Sequence, residues 1–371
     1  MKVLVTGGAG FIGSHLVDRL LVAGHTVRVL DSLDPQVHPR GRPDYLSADT
    51  ELQVGDVRDH EAVKRALDGV DRLAHLAAAV GVGQSMYEIE RFTSVNAIGC
   101  AVLLEEAIEA RERLEKVVVA SSMSLYGEGL YRCPKEDRQV APEPRPDAQL
   151  AAREWEPVCT SCGRPLEPLR TPETKPLQPT SIYAVGKRDH EEMTLAWSRA
   201  YRVPATALRF FNVYGPRQAL SNPYTGVAAI FSSRLLNGRP PVAFEDGRQS
   251  RDFVHVADIA AAVELALEPG AGDGAAINVG TGRSVTVLEV AEVLARELGV
   301  DLEPEVRNEF RAGDIRHCFA DIERARELLA YEPRVTFEEG MRELAGWLAG
   351  QEADDRVDQA TEALVRRGLT L

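Results

Sequence analysis

The sequence of 371 residues predicts an α/β fold with a doubly wound parallel sheet, and three observations support this. Short β-branched runs such as Val3–Thr6 alternate with segments of helical spacing as far as about residue 210. A glycine-rich turn directly follows the first of these runs. Beyond residue 210, short strands and helices alternate with loops rich in glycine, proline and arginine, which predicts a smaller α/β domain at the C-terminal end.

The first turn has the pattern of a dinucleotide-binding loop. The first strand leads to Gly-Gly-Ala-Gly-Phe-Ile-Gly at residues 7–13, then to a helix and to a second strand closed by Asp31. Gly7 permits the tight turn, Gly10 lets the backbone approach a pyrophosphate, and Gly13 lets helix and strand pack closely. Asp31 is placed to accept hydrogen bonds from a ribose 2′-hydroxyl and would repel a 2′-phosphate. The pattern therefore predicts NAD rather than NADP.

Other candidate site residues follow the ends of later strands. Asp56 ends the third strand and is a candidate for binding the adenine amino group, whereas His75 lies within a strand and is expected to be a packed residue. The apolar strand 116–120 ends at Ser122. Because ligands of such sheets bind beyond the carboxyl ends of the strands, Ser122 is expected to face the site.

Tyr183 and Lys187 are four residues apart in a segment with helical spacing, which places both side chains on one helix face. A tyrosine becomes a base at neutral pH only if its pKa falls by about 3 units, or roughly 4 kcal/mol. A lysine together with a cationic cofactor would supply such a shift. Asp189, Glu191 and Glu192 are expected on a different face from the apolar residues of this helix.

Residues 128–178 interrupt the strand–helix alternation with many prolines and with Cys159-Thr160-Ser161-Cys162-Gly163. We interpret this segment as an ordered insertion or flap. The Cys-x-x-Cys-Gly sequence suits a zinc knuckle with Cys133 as a third ligand, although Glu136 is a poor fourth ligand. The sequence leaves two alternatives open for these cysteines: a structural zinc site, or free or paired thiols. A catalytic role for the cysteines is not expected.

Composition excludes several classes of partner. The net charge of −14 argues against a general affinity for nucleic acid or an anionic membrane. No run approaches the ~18 apolar residues of a membrane span, and the N-terminus enters a strand pattern directly, so a cytoplasmic location is expected. The five cysteines form no evident disulfide framework, in agreement with a reducing compartment.

These motifs together resemble the extended short-chain dehydrogenase/reductase family, and within it the NAD-dependent nucleotide-sugar epimerases of the UDP-glucose 4-epimerase type. The resemblance covers residues 1 to about 350. The cysteine-containing insertion and residues 221–226 are similar to a subgroup associated with dTDP-L-rhamnose 4-epimerase. The sequence segments that carry the family resemblance are residues 7–13, Ser121-Ser122, Leu125-Tyr126-Gly127, Tyr183 with Lys187, residues 209–218, residues 251–258 and Arg311-x-Gly-Asp314.

The resemblance implies a Rossmann domain that binds NAD at residues 1–210 (with the insertion 128–178), a nucleotide-sugar-binding domain at 211–350 and a helical tail at 351–371. It implies C4 epimerisation through a transient 4-keto sugar, with Ser122, Tyr183 and Lys187 as catalytic residues. The cofactor-binding residues that it implies are Gly7, Gly10, Phe11, Ile12, Gly13, Asp31, Ser32, Asp56, Val57, Leu76, Ala77, Ala78, Asn96, Tyr183, Lys187 and Phe210. The substrate-binding residues that it implies are Ser122, Asn212, Val227, Phe244, Arg251, Arg311 and Asp314, with the two arginines as a diphosphate clamp.

Competing functions differ in what they require. A 4,6-dehydratase of this family needs acids just after the catalytic hydroxyl, where this chain has Met123 and Ser124, so that function is disfavoured. A 4-ketoreductase needs no such acids and remains open. A non-catalytic NAD-binding regulator would be expected to have lost part of the Ser122, Tyr183 and Lys187 set. The resemblance also implies a homodimer acting on a dTDP- or UDP-sugar.

Overall fold

A computed structural model describes residues 1–220, 222, 224, 226–310, 313–351, 355 and 357–369. The strands, in chain order, are β1 Lys2–Thr6, β2 Thr26–Asp31, β3 Glu51–Val54, β4 Arg72–His75, β5 Lys116–Ser122, β6 Leu130–Cys133, β7 Arg138–Val140, β8 Glu167–Leu169, β9 Ala205–Phe210, β10 Asn212–Tyr214, β11 Val242–Ala243, β12 Ser250–Arg251, β13 Phe253–His255, β14 Ala276–Val279, β15 Val285–Thr286, β16 Glu305–Val306 and β17 His317–Cys318.

The helices connect and cover these strands. In chain order they are α1 Phe11–Val22, α2 His60–Leu67, α3 Val82–Ser85, α4 Ile89–Thr93, α5 Gly99–Ala110, α6 Asp147–Ala151, α7 Ile182–Tyr201, α8 Val227–Leu236, α9 Val256–Ala266, α10 Val287–Leu298, α11 Glu323–Leu329, α12 Phe337–Leu348 and α13 Val357–Val365. A π-helical turn, Ser94–Ile98, joins α4 to α5, and a 3₁₀ turn, Met123–Tyr126, follows β5. Among the residues described, none of these helices has the length and apolar composition needed to cross a membrane.

The central sheet is parallel and has the order β14-β9-β5-β4-β1-β2-β3. The doubly wound sheet predicted from the sequence is confirmed. Strand order reverses between β1 and β4, which is the crevice where dinucleotides bind in such sheets. All seven residues of β5 are buried, because helices cover both faces of the sheet.

The expected boundary at residue 210 does not hold for this sheet. Strand β14, at residues 276–279, pairs with β9 and completes its edge. Residues of α9 such as Ile259 and Val263 belong to the same apolar cluster as Leu16 and Val17 of α1. The chain therefore returns to the nucleotide-binding half after it has begun the smaller part. The short apolar run at 276–279 lies among glycine-rich loops. Its sequence therefore does not indicate that it belongs to the central sheet.

The smaller part has its own apolar cluster, in which residues of α8, α10 and α12 pack around Tyr214 and Phe253. Strands β10 and β13 pair in parallel there. Helix α12 begins with a capping box, in which the Thr336 hydroxyl accepts from Glu339 N and the Glu339 carboxylate accepts from Thr336 N. Helix α13 agrees with the helix expected for the tail.

The insertion is ordered, as expected. Strands β7, β6 and β8 form a small antiparallel sheet. Its two stems are attached to one segment of the smaller part: Gly129 N donates to His317 O (2.8 Å) and Thr171 N donates to Phe319 O (2.8 Å). The insertion therefore leaves the sheet after Ser122, contacts the smaller part, and returns to begin α7.

Candidate active site

The loop between β1 and α1 is shaped by its glycines. Gly7 has φ +71°, and a Cβ there would lie 2.8 Å from the backbone of Ala77. A Cβ on Gly13 would lie 2.2 Å from Gly7 O, so helix and loop meet at a distance that only glycine allows. Gly10 is the N-cap of α1 and offers no side chain to the first N–H groups of the helix. Those groups remain available for a pyrophosphate.

Asp31 lies at the carboxyl end of β2, beside this loop. Its Oδ2 accepts from Ala9 N (3.0 Å) and its Oδ1 accepts from Leu33 N (2.9 Å), which fixes the carboxylate. Each carboxylate oxygen has a second lone pair, so Asp31 can still accept hydrogen bonds from ribose hydroxyls. The neighbouring Ser32 is exposed.

Asp56 forms a forked ion pair with Arg58, at 2.9 Å to Nε and 2.6 Å to Nη2. The hydrogen bond from Arg58 is the main reason that the pKa of Asp56 lies below its usual value. Both side chains of this ion pair are partly exposed. Asp56 can still accept a hydrogen bond from an adenine amino group. Val57 is buried against Gly99, where a Cβ would approach Val57 Cγ2 to 2.7 Å.

The loop after β4 carries the predicted cofactor-lining residues Leu76, Ala77 and Ala78. Asn96, on the π-helical turn, holds this loop: its Oδ1 accepts from Ala79 N (2.8 Å) and its Nδ2 donates to Ala79 O (3.1 Å). Both ends of its buried amide contact the protein backbone. Asn96 therefore positions the cofactor-lining loop.

Ser122 is the last residue of β5 and faces the Tyr183 side chain. Its Oγ accepts from Ser124 Oγ (2.9 Å) and Ser124 N (3.2 Å). Burial raises the pKa of Tyr183 to about 12, although a hydrogen bond with Ser122 acts in the opposite direction. In the protein alone this shift is opposite to the one that a base requires, because burial outweighs the polar neighbours.

Lys187 is buried one turn further along α7. Its Nζ donates to Ala120 O (2.9 Å), and burial lowers its pKa to about 8. His75 packs beside it within β4, as predicted, with its ring 4.9 Å from that of His190. Burial and the Lys187 charge lower the pKa of His75 to about 3, so this histidine stays neutral.

A buried polar network fixes α7 against the sheet, and the sequence interpretation missed it. Glu191 accepts from Ser121 Oγ (2.7 Å) and pairs with Arg209 at 2.9 and 2.5 Å. Arg209 also donates to Tyr126 OH (2.7 Å), which donates to Asn278 Oδ1 (2.7 Å). The sequence interpretation separates Glu191 from Ile182, Val185 and Met193 but assigns it no buried partner. The spacing of Glu191, four from Lys187 and eight from Tyr183, already indicated the same face.

On the substrate side, Asn212 begins β10 directly after Phe210-Phe211, and Phe210 is the buried end of β9. Among the described residues, the buried Asn212 Oδ1 has no hydrogen-bond partner. Such an atom takes a water or a ligand as its partner, because an unsatisfied buried polar atom is costly, and a contact between Asn212 and a substrate remains a prediction.

The guanidinium of Arg251 is held by three backbone carbonyls: Ser250 (2.8 Å), Arg316 (2.9 Å) and Ile315 (2.6 Å). A guanidinium has five N–H donors. Among the residues that the structure describes, the donors of Arg251 that do not contact these carbonyls have no partner and can bind an anion. Arg251 is thus tied to the loop that carries Asp314. The second arginine of the predicted clamp, Arg311, lies outside the described residues.

Three further predicted substrate residues, Val227, Phe244 and Asp314, lie in different segments of the smaller part. Val227 is the first residue of α8, and Phe244 follows β11, with its carbonyl accepting from Gln249 Nε2 (2.8 Å). Asp314 is joined to the insertion through its carbonyl, which accepts from Arg145 Nη2 (3.1 Å). Their roles toward a substrate remain predictions.

Comparison with known proteins agrees with this geometry. Residues 3–151 match the model of the NAD dependent epimerase/dehydratase family, and residues 163–344 match that of GDP-mannose 4,6 dehydratase. A dTDP-L-rhamnose 4-epimerase from Burkholderia thailandensis is 37% identical over 359 residues, which cover 95% of this chain and 96% of the relative.

The chain belongs to the NAD-dependent epimerase/dehydratase family. The resemblance predicted from the motifs is confirmed, and so is NAD as the cofactor of this family. The matched segments leave residues 152–162 between them, within the insertion.

Solved structures of this family have the same fold. The UDP-glucose 4-epimerase of Thermotoga maritima, solved with UDP-glucose, is 33% identical with a TM-score of 0.77, and the match covers 94% of this chain and 99% of that one. The Thermus thermophilus UDP-glucose 4-epimerase in complex with NAD is 31% identical with a TM-score of 0.73, and covers 95% and 100%. The glycine contacts of the β1–α1 loop, the free N–H groups of α1 and the fixed Asp31 fit this cofactor.

Proposed function

We propose that the protein interconverts the C4 epimers of a nucleoside-diphosphate sugar, with Ser122, Tyr183 and Lys187 as its catalytic residues. The observation that carries this proposal is that Ser122, at the end of β5, hydrogen-bonds Tyr183 of α7, while Lys187, one turn further along α7, donates to Ala120 O of the same strand. The dTDP-L-rhamnose 4-epimerase relative favours a dTDP-linked deoxy sugar over a UDP-sugar. A homodimer is part of the same proposal.

The chemistry divides between a proton and a hydride. The glycine loop, the N-terminus of α1 and Asp31 would hold NAD⁺, which would supply the acceptor and donor of the C4 hydride and a positive charge in the site. The Tyr183 phenolate takes the proton of the 4-hydroxyl, and Ser122 holds the same oxygen by a hydrogen bond. Lys187 supplies a second positive charge near the phenol. These charges must overcome the burial that raises the pKa of Tyr183 to about 12.

The residues after Ser122 support epimerisation over dehydration. Met123 is buried, and Ser124 donates its hydroxyl hydrogen to Ser122 Oγ. Neither side chain is an acid that can protonate a leaving hydroxyl at C6. The oxidised sugar is therefore left to accept the hydride again at C4.

The test is to incubate the purified protein, without added cofactor, with dTDP-L-rhamnose, UDP-glucose and UDP-N-acetylglucosamine in parallel. We expect one of them to be converted to its C4 epimer, followed by NMR, without net formation of NADH. Oxidation to a 4-keto sugar that requires added NAD⁺ and forms one equivalent of NADH would identify a ketoreductase running in reverse. NAD binding with no turnover of any sugar would favour the non-catalytic regulator.

Tyr183→Phe tests the role of the base. We expect turnover to fall by about 10²–10⁴-fold, because general-base catalysis contributes on that order, while NAD stays bound. Tyr201→Phe, at the exposed end of the same helix, is the matched control and is expected to keep full activity. Activity of Tyr183→Phe within a few-fold of the unmodified protein would contradict the mechanism.

A further inference from the structure

The insertion contains two turns of the same construction. Cys133-Pro-Lys-Glu136 and Cys159-Thr-Ser-Cys162 have the same spacing, and the fourth position differs only in carrying a carboxylate in place of a thiol. In each turn the N–H four residues after the cysteine donates to the cysteine's carbonyl, from Asp137 to Cys133 (2.9 Å) and from Gly163 to Cys159 (2.8 Å). Asp137 has φ +48° and Gly163 has φ +69°, so both turns close in the left-handed region.

The two turns face each other, and their four side chains meet. Ligand atoms of Cys133, Glu136, Cys159 and Cys162 all lie within 4.8 Å of one another. Cys133 Sγ is 3.6 Å from Cys162 Sγ, and Cys159 Sγ is 4.0 Å from Glu136 Oε2. Ligands about 2.3 Å from one tetrahedral ion are separated by about 3.8 Å. A disulfide needs about 2.05 Å, and all five cysteines are free thiols here.

The surroundings are those of a thiolate cluster. The backbone N–H groups of Ser161 and Cys162 are directed at the Cys159 sulfur. Arg138 pairs with Glu136 (2.5 Å) and donates to Ser161 Oγ (2.9 Å) and toward Cys159 Sγ (3.7 Å). Its cation would offset the net negative charge of three thiolates and one carboxylate around a divalent ion.

We propose that Cys133, Glu136, Cys159 and Cys162 bind one structural zinc ion. Three soft sulfur ligands and one carboxylate in a closed tetrahedral arrangement suit Zn²⁺ and leave no position for substrate. This proposal gives Glu136 the place of the fourth ligand, for which the sequence alone made it a poor candidate. The Glu136 carboxylate has the same position in its turn as the Cys162 thiol has in the facing turn. This equivalence is visible only when the two turns are compared in the structure.

The ion would reinforce the small apolar core of the insertion. The described apolar cluster here consists of Tyr131, Cys133, Cys159 and Leu166, with Val140 and Cys162 packed against it. Small modules with so little apolar surface are commonly held by a metal.

The chain between the two turns also makes one of the insertion's contacts with the smaller part. Trp155, only four residues before Cys159, packs with Leu150 on Phe310. The next residue, Glu156, pairs with Arg316 (2.6 Å) and with His317 (3.0 Å). Zinc would therefore hold the insertion against the loop that bears Asp314.

The test begins with the full-length protein as purified, without added metal. We expect about one equivalent of zinc per chain by mass spectrometry of the metal content, released on mercurial titration of the thiols. Replacement by Co²⁺ is expected to give the intense visible absorption of a tetrahedral thiolate site. These readouts do not depend on sugar turnover, so they stand whether or not the epimerase proposal holds.

Matched variants locate the ligands. Cys159→Ser is expected to lose the bound zinc and to unfold at lower temperature. Glu136→Gln is expected to weaken zinc binding, while Glu136→Cys keeps one equivalent and guards against a ligand variant that fails to fold. Lys135→Gln, in the same turn, and Cys318→Ser, a buried thiol outside the cluster, are controls that keep one equivalent.

Three results would overturn the proposal. One is less than about a tenth of an equivalent of tightly held zinc after incubation with Zn²⁺ under reducing conditions. Another is a disulfide between Cys133 and Cys162 in the protein as isolated. The third is full zinc retention by Cys159→Ser together with an octahedral Co²⁺ spectrum.

Discussion

The central sheet and the insertion use buried charge in opposite ways. Around the sheet, buried charges are separate pairs or single groups set in apolar surroundings, such as the Arg209–Glu191 pair, with side chains 6% and 5% exposed, and Lys187. Where the insertion contacts the smaller part, charge forms the contact itself. There Arg316 and Glu245, at 2% and 1% exposed, are joined by further acids and bases.

This difference shows which interactions stabilise each region. The sheet is held by apolar burial on both faces, and the Arg209–Glu191 pair ties α7 to β9. The insertion has little apolar surface, so its contact with the smaller part depends on a network in which each charged group has more than one partner. Changes at single charged residues separate the two cases.

The largest effect is expected for Arg209→Met. It leaves the Glu191 carboxylate buried without its partner, so we expect the free energy of unfolding to fall by about 3–5 kcal/mol in urea titrations. The double variant Arg209→Met with Glu191→Leu removes both charges and is expected to recover most of that loss. Equal stability of the single and double variants would show that the pair does not behave as buried charge.

Lys187→Met is expected to act in the other direction. Burial lowers the pKa of Lys187 to about 8, below its value of 10.5 in an unfolded chain. The folded protein therefore binds fewer protons between those values. The cost of burying the charged lysine is present in full below pH 8 and is relieved as the pH rises toward 10.5.

We expect Lys187→Met to abolish turnover yet to raise the free energy of unfolding at pH 7 by up to about 3 kcal/mol, with a smaller gain at pH 10. Thermal and urea unfolding at the two pH values measure this. Lys64→Met, an exposed lysine on α2, is the control and should change little at either pH. A Lys187→Met protein that is less stable at pH 7 would contradict the assignment of buried charge.

Arg316→Met is expected to have the smallest effect on stability and the most selective effect on function. Its guanidinium joins Glu156 and Asp246 to Glu245, but Glu245 keeps Arg145 as a partner at 2.8 Å. We expect a loss of about 1–3 kcal/mol. The KM for the nucleotide sugar should rise about tenfold while NAD affinity is unchanged; a parallel loss of NAD affinity would show that the contact also serves the sheet.

The sequence predicts the first half of the sheet well because strand, glycine loop, helix and acid follow one another locally. Gly7, Gly13 and Asp31 have the surroundings expected from their spacing. Strand β14 and Glu191 are different, because a four-residue run and a helical acid give no local sign of the partner that each one finds. Ala276–Val279 and Glu191 both contact β9 across a long stretch of sequence, so these contacts exist only in the folded chain.

The insertion was the part least accessible to prediction. Cys159 and Cys162 were recognisable because they lie in one turn, and Cys133 was a reasonable third member. Glu136 was not, since its relation to the others depends on two turns facing each other across a small sheet. The contact of Glu156 with Arg316 spans 160 residues and has no local signature.

Strand β14 has a consequence for attempts to divide this protein. A fragment ending at residue 210 would expose the full hydrogen-bonding edge of β9, together with the apolar residues Leu208 and Phe210. An unprotected edge of that kind recruits other chains and promotes aggregation. The nucleotide-binding half is thus not a portable module, and a soluble minimal fragment must extend at least through Val279.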